Sequence, residues 1–183
     1  MMRENKKRRL EACGWRVGST EDFLGLYPEE SMKVKILCGI SGSGKSTYIK
    51  NHFPDADVCS ADHFFMKDGE YKFDPAKLSK AHGECLKHFV YLMSTKPHGD
   101  RIPVVVDNTN TTVVEIAPYA ALALAYGCDL EIIILEAPLE KAAARNQHGV
   151  PRDAVEGQHK RLKTLADQLP RWWPVVKVPA EGL

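Results

Sequence analysis

The fold of this 183-residue chain is decided by the stretch Gly39-Ile40-Ser41-Gly42-Ser43-Gly44-Lys45-Ser46-Thr47. It matches every position of the pattern G-x-x-x-x-G-K-[ST], whose glycines let backbone N–H groups surround phosphates without interference from Cβ atoms. The apolar run 34–38 before it predicts a buried strand, and residues 47–52 after it can form a helix. Strand, glycine loop and helix together predict a nucleoside triphosphate site that uses ATP or GTP.

Each position of this loop has an expected part in binding the phosphate donor. Lys45 is placed to reach the β- and γ-phosphates, and the Ser46 hydroxyl is placed to hold Mg²⁺. The N-terminus of the following helix adds a favourable dipole. A glycine-rich turn with an unrelated lysine is the alternative, and the complete match in this context argues against it. The predicted nucleotide-binding residues of the loop are Gly39, Ser41, Gly42, Ser43, Gly44, Lys45, Ser46 and Thr47.

The amino-acid composition limits the classes of protein to which this chain can belong. A hydrophobic content of 44% and a charged content of 27% are those of a globular protein. The net charge of +1 argues against a broadly basic nucleic-acid-binding surface but not against a local basic groove. No apolar run is long enough to span a bilayer, so no membrane partner is expected. The five cysteines lack any C-x-x-C spacing, which predicts reduced thiols and a cytoplasmic protein; they are Cys13, Cys38, Cys59, Cys85 and Cys128.

Two regions differ in character along the chain. Residues 1–30 form a predicted N-terminal extension with the basic cluster Lys6-Lys7-Arg8-Arg9. Acidic residues balance that cluster, which favours a solvated or packed extension over a nucleic-acid-binding arm. Residues 31–183 are predicted to form one domain with a C-terminal tail, in which strands and helices alternate. This alternation predicts an α/β fold of three layers around a central, mostly parallel sheet. The oligomeric state is not predicted.

The pattern of apolar residues and breakers also predicts the later elements. Three strands are expected after the first, and the last of them, 130–135, is expected to be the final strand of the chain. Helices are expected to start at Asp74 and at Thr111 or Thr112. Two more helices and a tail after Leu169 complete the prediction. The strands are 57–60, 103–106 and 130–135, and the last two helices are 138–147 and 151–169.

Two aspartates follow predicted strands. Asp62 comes shortly after strand 57–60, and Asp107 ends strand 103–106. Open α/β sheets bind ligands beyond the carboxyl ends of their strands, so both carboxylates are expected near the triphosphate. Asp107 is then expected to share Mg²⁺ with Ser46, and a carboxylate there can also accept a proton from an attacking hydroxyl. Helix capping is the alternative for each, and for Asp62 the two readings stay open.

An arginine-containing segment follows the strand 130–135. Arg145 lies near the end of one predicted helix, and Arg152 begins the next. An arginine that closes over the γ-phosphate would neutralise charge that develops during transfer. We therefore expect Arg145 to act in catalysis and to bind the nucleotide, whereas the residues do not decide the role of Arg152.

Taken together, these motifs resemble those of P-loop kinases of the phage polynucleotide 5′-kinase type and of related animal AAA-labelled P-loop proteins. The resemblance covers about residues 33–165. It implies a P-loop NTPase/kinase fold with an Arg-containing lid, and Asp62 as general base on a 5′-hydroxyl of DNA or RNA. It places Lys45 and Arg145 on the donor phosphates and Asp107 on the acceptor side. The motifs that carry it are Gly39 to Thr47, Ser60-Ala61-Asp62-His63-Phe64-Phe65, Val106-Asp107-Asn108-Thr109-Asn110 and Arg145-Asn146-Gln147-His148-Gly149-Val150.

The acceptor side departs from the phage kinases at one position. Those kinases carry an arginine three residues beyond the base, where this chain has Phe65. Lys67, Lys72 or Arg101 can substitute for that arginine, and Phe64 or Phe65 can either stack on a nucleobase or pack in the core. The acceptor-binding residues predicted on this basis are Asp62, Phe65, Asp107 and Asn110.

Three functions therefore remain open from the sequence. The first is a kinase that transfers the γ-phosphate to a nucleic-acid 5′-hydroxyl. The second is a kinase of a small molecule, such as a nucleotide, sugar or UDP-sugar, as in zeta-toxin-like kinases. The third is a binding module whose partner surface depends on ATP. Asp62 and Arg145 together favour an enzyme, because a binding module needs neither.

Overall fold

The computed structural model of the chain describes residues 31–97, 100–146 and 149–180. The predicted extension 1–30 lies outside the described residues, as do Gln147 and His148 at the end of a predicted helix. None of the described helices is long and apolar enough to cross a membrane.

A five-stranded sheet forms the centre of the molecule. Its strands, all parallel, are β1 (Lys33–Cys38), β2 (Asp57–Cys59), β5 (Val104–Asp107), β6 (Asp129–Glu136) and β7 (Val175–Pro179), and they lie in the order β2-β5-β1-β6-β7. A separate antiparallel hairpin consists of β3 (Met66–Lys67) and β4 (Glu70–Tyr71). The prediction of an α/β fold around a parallel sheet is confirmed.

Helices cover both faces of this sheet. They are α1 (Lys45–His52), α2 (Leu78–Thr95), α3 (Val113–Ala125), α4 (Leu139–Ala144) and α5 (Arg152–Gln168). Buried residues of α2, α3 and α5 pack against one face of the sheet and form the larger core cluster with it. Ile49 of α1 packs with the other face, against residues that include Leu37 and Val105. Because both faces are covered, residues 132–135 of β6 are all buried, as is usual for a central strand of a parallel sheet.

The order of the strands creates a crevice at the carboxyl ends of β1 and β5. From β1 the chain passes beyond β5 to reach β2, whereas from β5 it passes to β6 on the other side of β1. The connections that leave β1 and β5 therefore diverge at the carboxyl ends of these neighbouring strands. Such a switch point is where open α/β sheets bind their ligands.

Local sequence signals set the helix ends. Thr112 is the N-cap of α3, and its hydroxyl accepts a hydrogen bond from the backbone N–H of Glu115 at 3.4 Å. The Glu115 carboxylate in turn accepts from the Thr112 N–H at 2.9 Å, which completes a capping box. Gly127, with φ of +69°, follows the end of the helix. Pro118 lies inside α3 without ending it. At the start of α2, Asp74 caps a short 3₁₀ turn, Pro75–Lys77, and the helix itself begins at Leu78.

One prediction about the topology was wrong. The sequence analysis expected β6 to be the last strand and a tail to follow Leu169, but β7 pairs with β6 at the edge of the sheet. The strand has five residues and none of them is buried, so its pattern resembles that of an extended tail. Only pairing with β6 makes it a strand.

The described cysteines behave as structural thiols. Cys38, Cys59, Cys85 and Cys128 are all buried and free. Burial raises the pKa of Cys59 to about 12 and that of Cys128 to about 11. Protonated buried thiols of this kind are poor nucleophiles.

Candidate active site

The glycine loop connects β1 to α1 and is packed closely against other backbone. Gly42 has φ of +77°, and a Cβ atom there would lie 2.0 Å from the carbonyl oxygen of Ala142 in α4. Glycine is therefore required both by the left-handed backbone and by the contact with α4. At Gly39 a Cβ atom would lie 2.6 Å from Oγ of Ser43.

A cavity of about 380 Å³ lies over this loop, at the switch point of the sheet. It brings together parts of the chain that are far apart in sequence: the loop, the turn after β2, the end of β5 and the end of α4. Its lining residues are Ser41, Gly42, Ser43, Gly44, Lys45, Ser46, Thr47, Asp62, Asp107, Asn108, Thr109 and Arg145. The predicted residues Lys45, Asp62, Asp107 and Arg145 thus surround one space, and Gly39 lies just before the lining residues.

Lys45 is held against its own loop. Its Nζ donates to the carbonyl oxygens of Gly39 at 3.1 Å and Ile40 at 3.2 Å. Burial lowers the pKa of Lys45, and the negative charges of Asp107 and Asp62 oppose that effect. A lysine ammonium with little water around it interacts strongly with an incoming phosphate, because the local dielectric constant is low.

Ser46 and Asp107 place two side-chain oxygen atoms next to each other in the cavity. The Ser46 hydroxyl donates to Oδ2 of Asp107 at 3.2 Å. Burial raises the pKa of Asp107, opposed by the charge of Lys45 and by the hydrogen bond from Ser46. No group of three His, Cys, Asp or Glu residues suited to a metal occurs within the described ranges. One carboxylate and one hydroxyl nevertheless fit Mg²⁺, which is usually bound by one or two protein oxygens together with substrate phosphates and water.

Asp62 lies in the 3₁₀ turn Ala61–Phe65, and its carboxylate is exposed to the cavity. The N-cap of this turn is Ser60, whose hydroxyl accepts a hydrogen bond from the Asp62 N–H at 3.2 Å. The amide oxygen of Asn108 accepts from the Ala61 N–H at 2.9 Å, so the end of β5 fixes the turn in place. Because Ser60 performs the capping, the Asp62 carboxylate is left to face the cavity.

The two arginines have different surroundings. Arg145 follows the last residue of α4 and lines the cavity. Arg152, whose role the sequence left open, donates to Glu140 at 2.6 Å and to Glu156 at 3.1 Å instead. Of the two, Arg145 is the one that lines the cavity over the glycine loop.

Two predicted acceptor residues, Phe65 and Asn110, are buried and offer no open surface to an acceptor. Phe65 is 2% exposed and packs against Phe64 and Phe73, so its ring cannot stack on a ligand. Asn110 is also 2% exposed, has φ of +47°, and donates from Nδ2 to the carbonyl oxygen of Leu37 at 2.8 Å. It ties the loop after β5 to the end of β1. Asn108 and Thr109 line the cavity in its place.

The lysines and the arginine considered as substitutes lie in two different places. Lys67 and Lys72 belong to the hairpin segment that follows the Asp62 turn, and Lys72 pairs with Glu70 at 2.9 Å. Arg101 precedes β5, at the opposite end of that strand from Asp107. It therefore cannot serve the cavity at the carboxyl ends of the strands.

Sequence reasoning missed two contacts of the site. The side-chain oxygen of Gln158 in α5 accepts from the Ser41 N–H of the glycine loop at 2.9 Å. The Tyr71 hydroxyl of β4 donates to Oδ1 of Asp62 at 2.8 Å. Nothing in the sequence marks Gln158, which is 117 residues from Ser41. Tyr71 and Phe73 share an alternating aromatic pattern that could have drawn attention to the segment.

The model of one known protein family matches most of this chain. Residues 34–170 match the model of an AAA domain family. Human NEDD4-binding protein 2 is 28% identical over 129 residues, a match that covers 66% of this chain and 7% of the human protein. The chain therefore spans only a small part of the length of that relative.

Solved structures share the fold at low sequence identity. A sugar kinase from Janibacter sp. superimposes with a TM-score of 0.53 at 13% identity, covering 83% of this chain and 87% of the kinase. The AvrRxo1-ORF1:AvrRxo1-ORF2 complex with ATP gives a TM-score of 0.59 at 21% identity, over 73% of this chain and 48% of that one. These likenesses show a P-loop kinase fold.

Proposed function

The chain belongs to the AAA domain family that matches residues 34–170, and from this premise we propose that it is an ATP- and Mg²⁺-dependent kinase acting on a 5′-hydroxyl of DNA or RNA. GTP is the alternative donor. One observation carries the proposal: a phosphate loop, a metal-ligand pair, an exposed carboxylate and an arginine all line the same cavity. A nucleotide-binding module would need only the first two.

The residues that line the cavity have different roles in the proposed phosphate transfer. The acceptor hydroxyl oxygen attacks the γ-phosphorus and forms a new P–O bond, while the bond from that phosphorus to the β–γ bridging oxygen breaks. The nucleoside diphosphate leaves with the electron pair, and Asp62 takes the proton of the hydroxyl. Lys45 and Arg145 bind the phosphoryl oxygens and offset their charge. When bound, Mg²⁺ held by Ser46 and Asp107 would neutralise charge on the phosphates.

A nucleic-acid acceptor is supported by the open side of the site. Asp62 is exposed, so the hydroxyl of a long polymer can reach it without the rest of the polymer entering the cavity. Lys67 and Lys72 are exposed on the segment next to Asp62, where their positive charges can attract a polyanion. Lys72 also forms an ion pair with Glu70. The motifs shared with phage polynucleotide kinases point in the same direction.

Transfer of labelled γ-phosphate from ATP tests the proposal directly. DNA and RNA oligonucleotides with a free 5′-hydroxyl are expected to be labelled, and the same oligonucleotides with a 5′-phosphate are the matched control. EDTA should abolish the labelling, and Mg²⁺ or Mn²⁺ should restore it.

Other outcomes would contradict the proposal in distinguishable ways. Labelling of a free sugar or nucleoside with no labelling of any oligonucleotide would identify a small-molecule kinase. ATP binding with no transfer to any acceptor would indicate a nucleotide-dependent binding module. Full transfer in EDTA would remove the metal from the mechanism.

A further inference from the structure

The chain after Asp62 turns back to contact it. The hairpin β3–β4 follows the Asp62 turn and places the Tyr71 hydroxyl 2.8 Å from Oδ1 of Asp62. Burial and this hydrogen bond raise the pKa of Tyr71, so the phenol remains a donor to the carboxylate. One oxygen of Asp62 is thereby engaged, and among the hydrogen bonds of the described residues none occupies the other, which can receive a proton.

An aromatic cluster continues outward from this contact. Phe65 is its buried base, and the rings of Tyr71 and Phe73 pack on it with centroids at 6.1 Å and 5.0 Å. Tyr71 and Phe73 are nearly parallel, with an interplanar angle of 9° and centroids 6.5 Å apart. Phe73 is nonetheless 47% exposed, although the cluster offers it apolar neighbours. Its ring is therefore held in place by packing and still presents a large surface to solvent.

We propose that Tyr71 and Phe73 together select the acceptor: Tyr71 positions the Asp62 carboxylate, and Phe73 stacks on the nucleobase next to the hydroxyl that is phosphorylated. The inference rests on the proposed function and narrows it to acceptors that carry a base at the reacting end. It also gives Phe73 the stacking role that the sequence suggested for Phe64 or Phe65.

The chemistry of the cluster favours a base over a plain sugar. A planar base offers a π-face to an aromatic ring whatever its sequence, so stacking tolerates varied ends. The lysines Lys67 and Lys72 on the same segment can contact phosphates beyond the first nucleotide. A kinase of this kind holds the end of a strand by stacking, without an arginine on the adjacent phosphate.

The test combines a change in the acceptor with a change in the protein. Steady-state kinetics are measured with a 5′-hydroxyl DNA oligonucleotide and with the same oligonucleotide carrying an abasic 5′-terminal residue. In the unaltered chain, removal of the base should raise the acceptor KM about tenfold or more, in keeping with the contribution of a base–aromatic stack. In Phe73→Leu, which keeps an apolar side chain, both oligonucleotides should have the same raised KM. The KM for ATP should not change.

Tyr91→Leu is the matched control, because Tyr91 is an aromatic residue on α2 that is 61% exposed. It should keep the full difference between the two oligonucleotides. If Phe73→Leu also keeps that difference, Phe73 does not stack on the base and the inference is overturned while the proposed function stands. If no oligonucleotide is labelled by the unaltered chain, the nucleic-acid acceptor and this inference both fail.

Tyr71→Phe tests the positioning role separately. The variant keeps the ring and loses the hydroxyl, so kcat should fall about tenfold while the KM values for ATP and oligonucleotide stay unchanged. This division between kcat and KM would not result from a general loss of structure. An unchanged kcat would show that Tyr71 does not position Asp62.

Discussion

The two sides of the cavity are built in different ways. The donor side, where the triphosphate is proposed to bind, is a continuous loop, 39–47, packed against two helices. A Cβ atom at Gly42 would meet the Ala142 carbonyl of α4, and the Gln158 side chain of α5 accepts from the Ser41 N–H. The acceptor side, where the proposed acceptor would bind, is assembled from a short turn and a small hairpin, with Asp62 exposed and its carboxylate hydrogen-bonded by the Tyr71 hydroxyl. On the proposed function, the side that binds the triphosphate is thus the more enclosed of the two, whereas the side that binds the acceptor is open and depends on a few side chains.

The largest expected effect is on the acceptor side, where Asp62→Asn should impair phosphate transfer without impairing ATP binding. We expect kcat to fall about 10²–10⁴-fold, because the amide cannot accept the proton, while ATP affinity stays within a few-fold. Transfer assays and ATP titration measure the two quantities. Asp129→Asn, the same change at the far end of the sheet, is the control and should leave both unchanged. A parallel loss of ATP binding would show that the two sides are not independent.

On the donor side, Lys45→Ala should lower kcat about 10²–10³-fold, since a charge that stabilises the transferred phosphoryl group is removed. The melting temperature should stay close to that of the unaltered chain. The reason is that, among the hydrogen bonds described, those of the Lys45 amine all go to carbonyl oxygens of its own loop. Lys50→Ala, an exposed lysine on the same helix, provides the comparison. Near-normal turnover of the Lys45 variant would remove the basis for the proposed mechanism.

Gly42→Ala tests how tightly the donor side is enclosed. The new methyl group would meet the Ala142 carbonyl at 2.0 Å, so the loop and α4 must move apart. We expect ATP affinity to fall about tenfold or more, because the N–H groups lose their arrangement around the phosphates. Calorimetric titration measures this. Gly83→Ala in α2, where a Cβ atom meets nothing within 4 Å, should bind ATP normally and gain up to about 1 kcal/mol in stability.

The smallest effect is expected from Gln158→Ala, which removes one hydrogen bond to the loop. A single hydrogen bond contributes about 0.5–1.5 kcal/mol, so the KM for ATP should rise about 2- to 10-fold. Gln168→Ala changes the same residue type at the end of the same helix and should have no effect. A lower KM in the Gln158 variant would instead mean that its side chain competes with phosphate for the Ser41 N–H.

Apart from the contact from Gln158, the strand, glycine loop and helix of the donor side could be predicted from the sequence, since they are continuous in the chain. The acceptor side could not. Phe65 and Asn110 were assigned to it by position, but Phe65 is the buried base of an aromatic cluster and Asn110 joins two strand ends. Sequence distance from Asp62 did not indicate which side chains face the cavity.

By itself, the sequence determined the alternation of strands and helices, the phosphate loop and the capping of α3, because these depend on residues close together in the chain. The tertiary structure decided the rest. β7 is a strand only because β6 offers it backbone partners, and Gln158 reaches Ser41 only because α5 packs beside the loop. Tyr71 meets Asp62 only because a hairpin reverses the chain between them. Contacts of this kind arise from packing, which local patterns of residues do not encode.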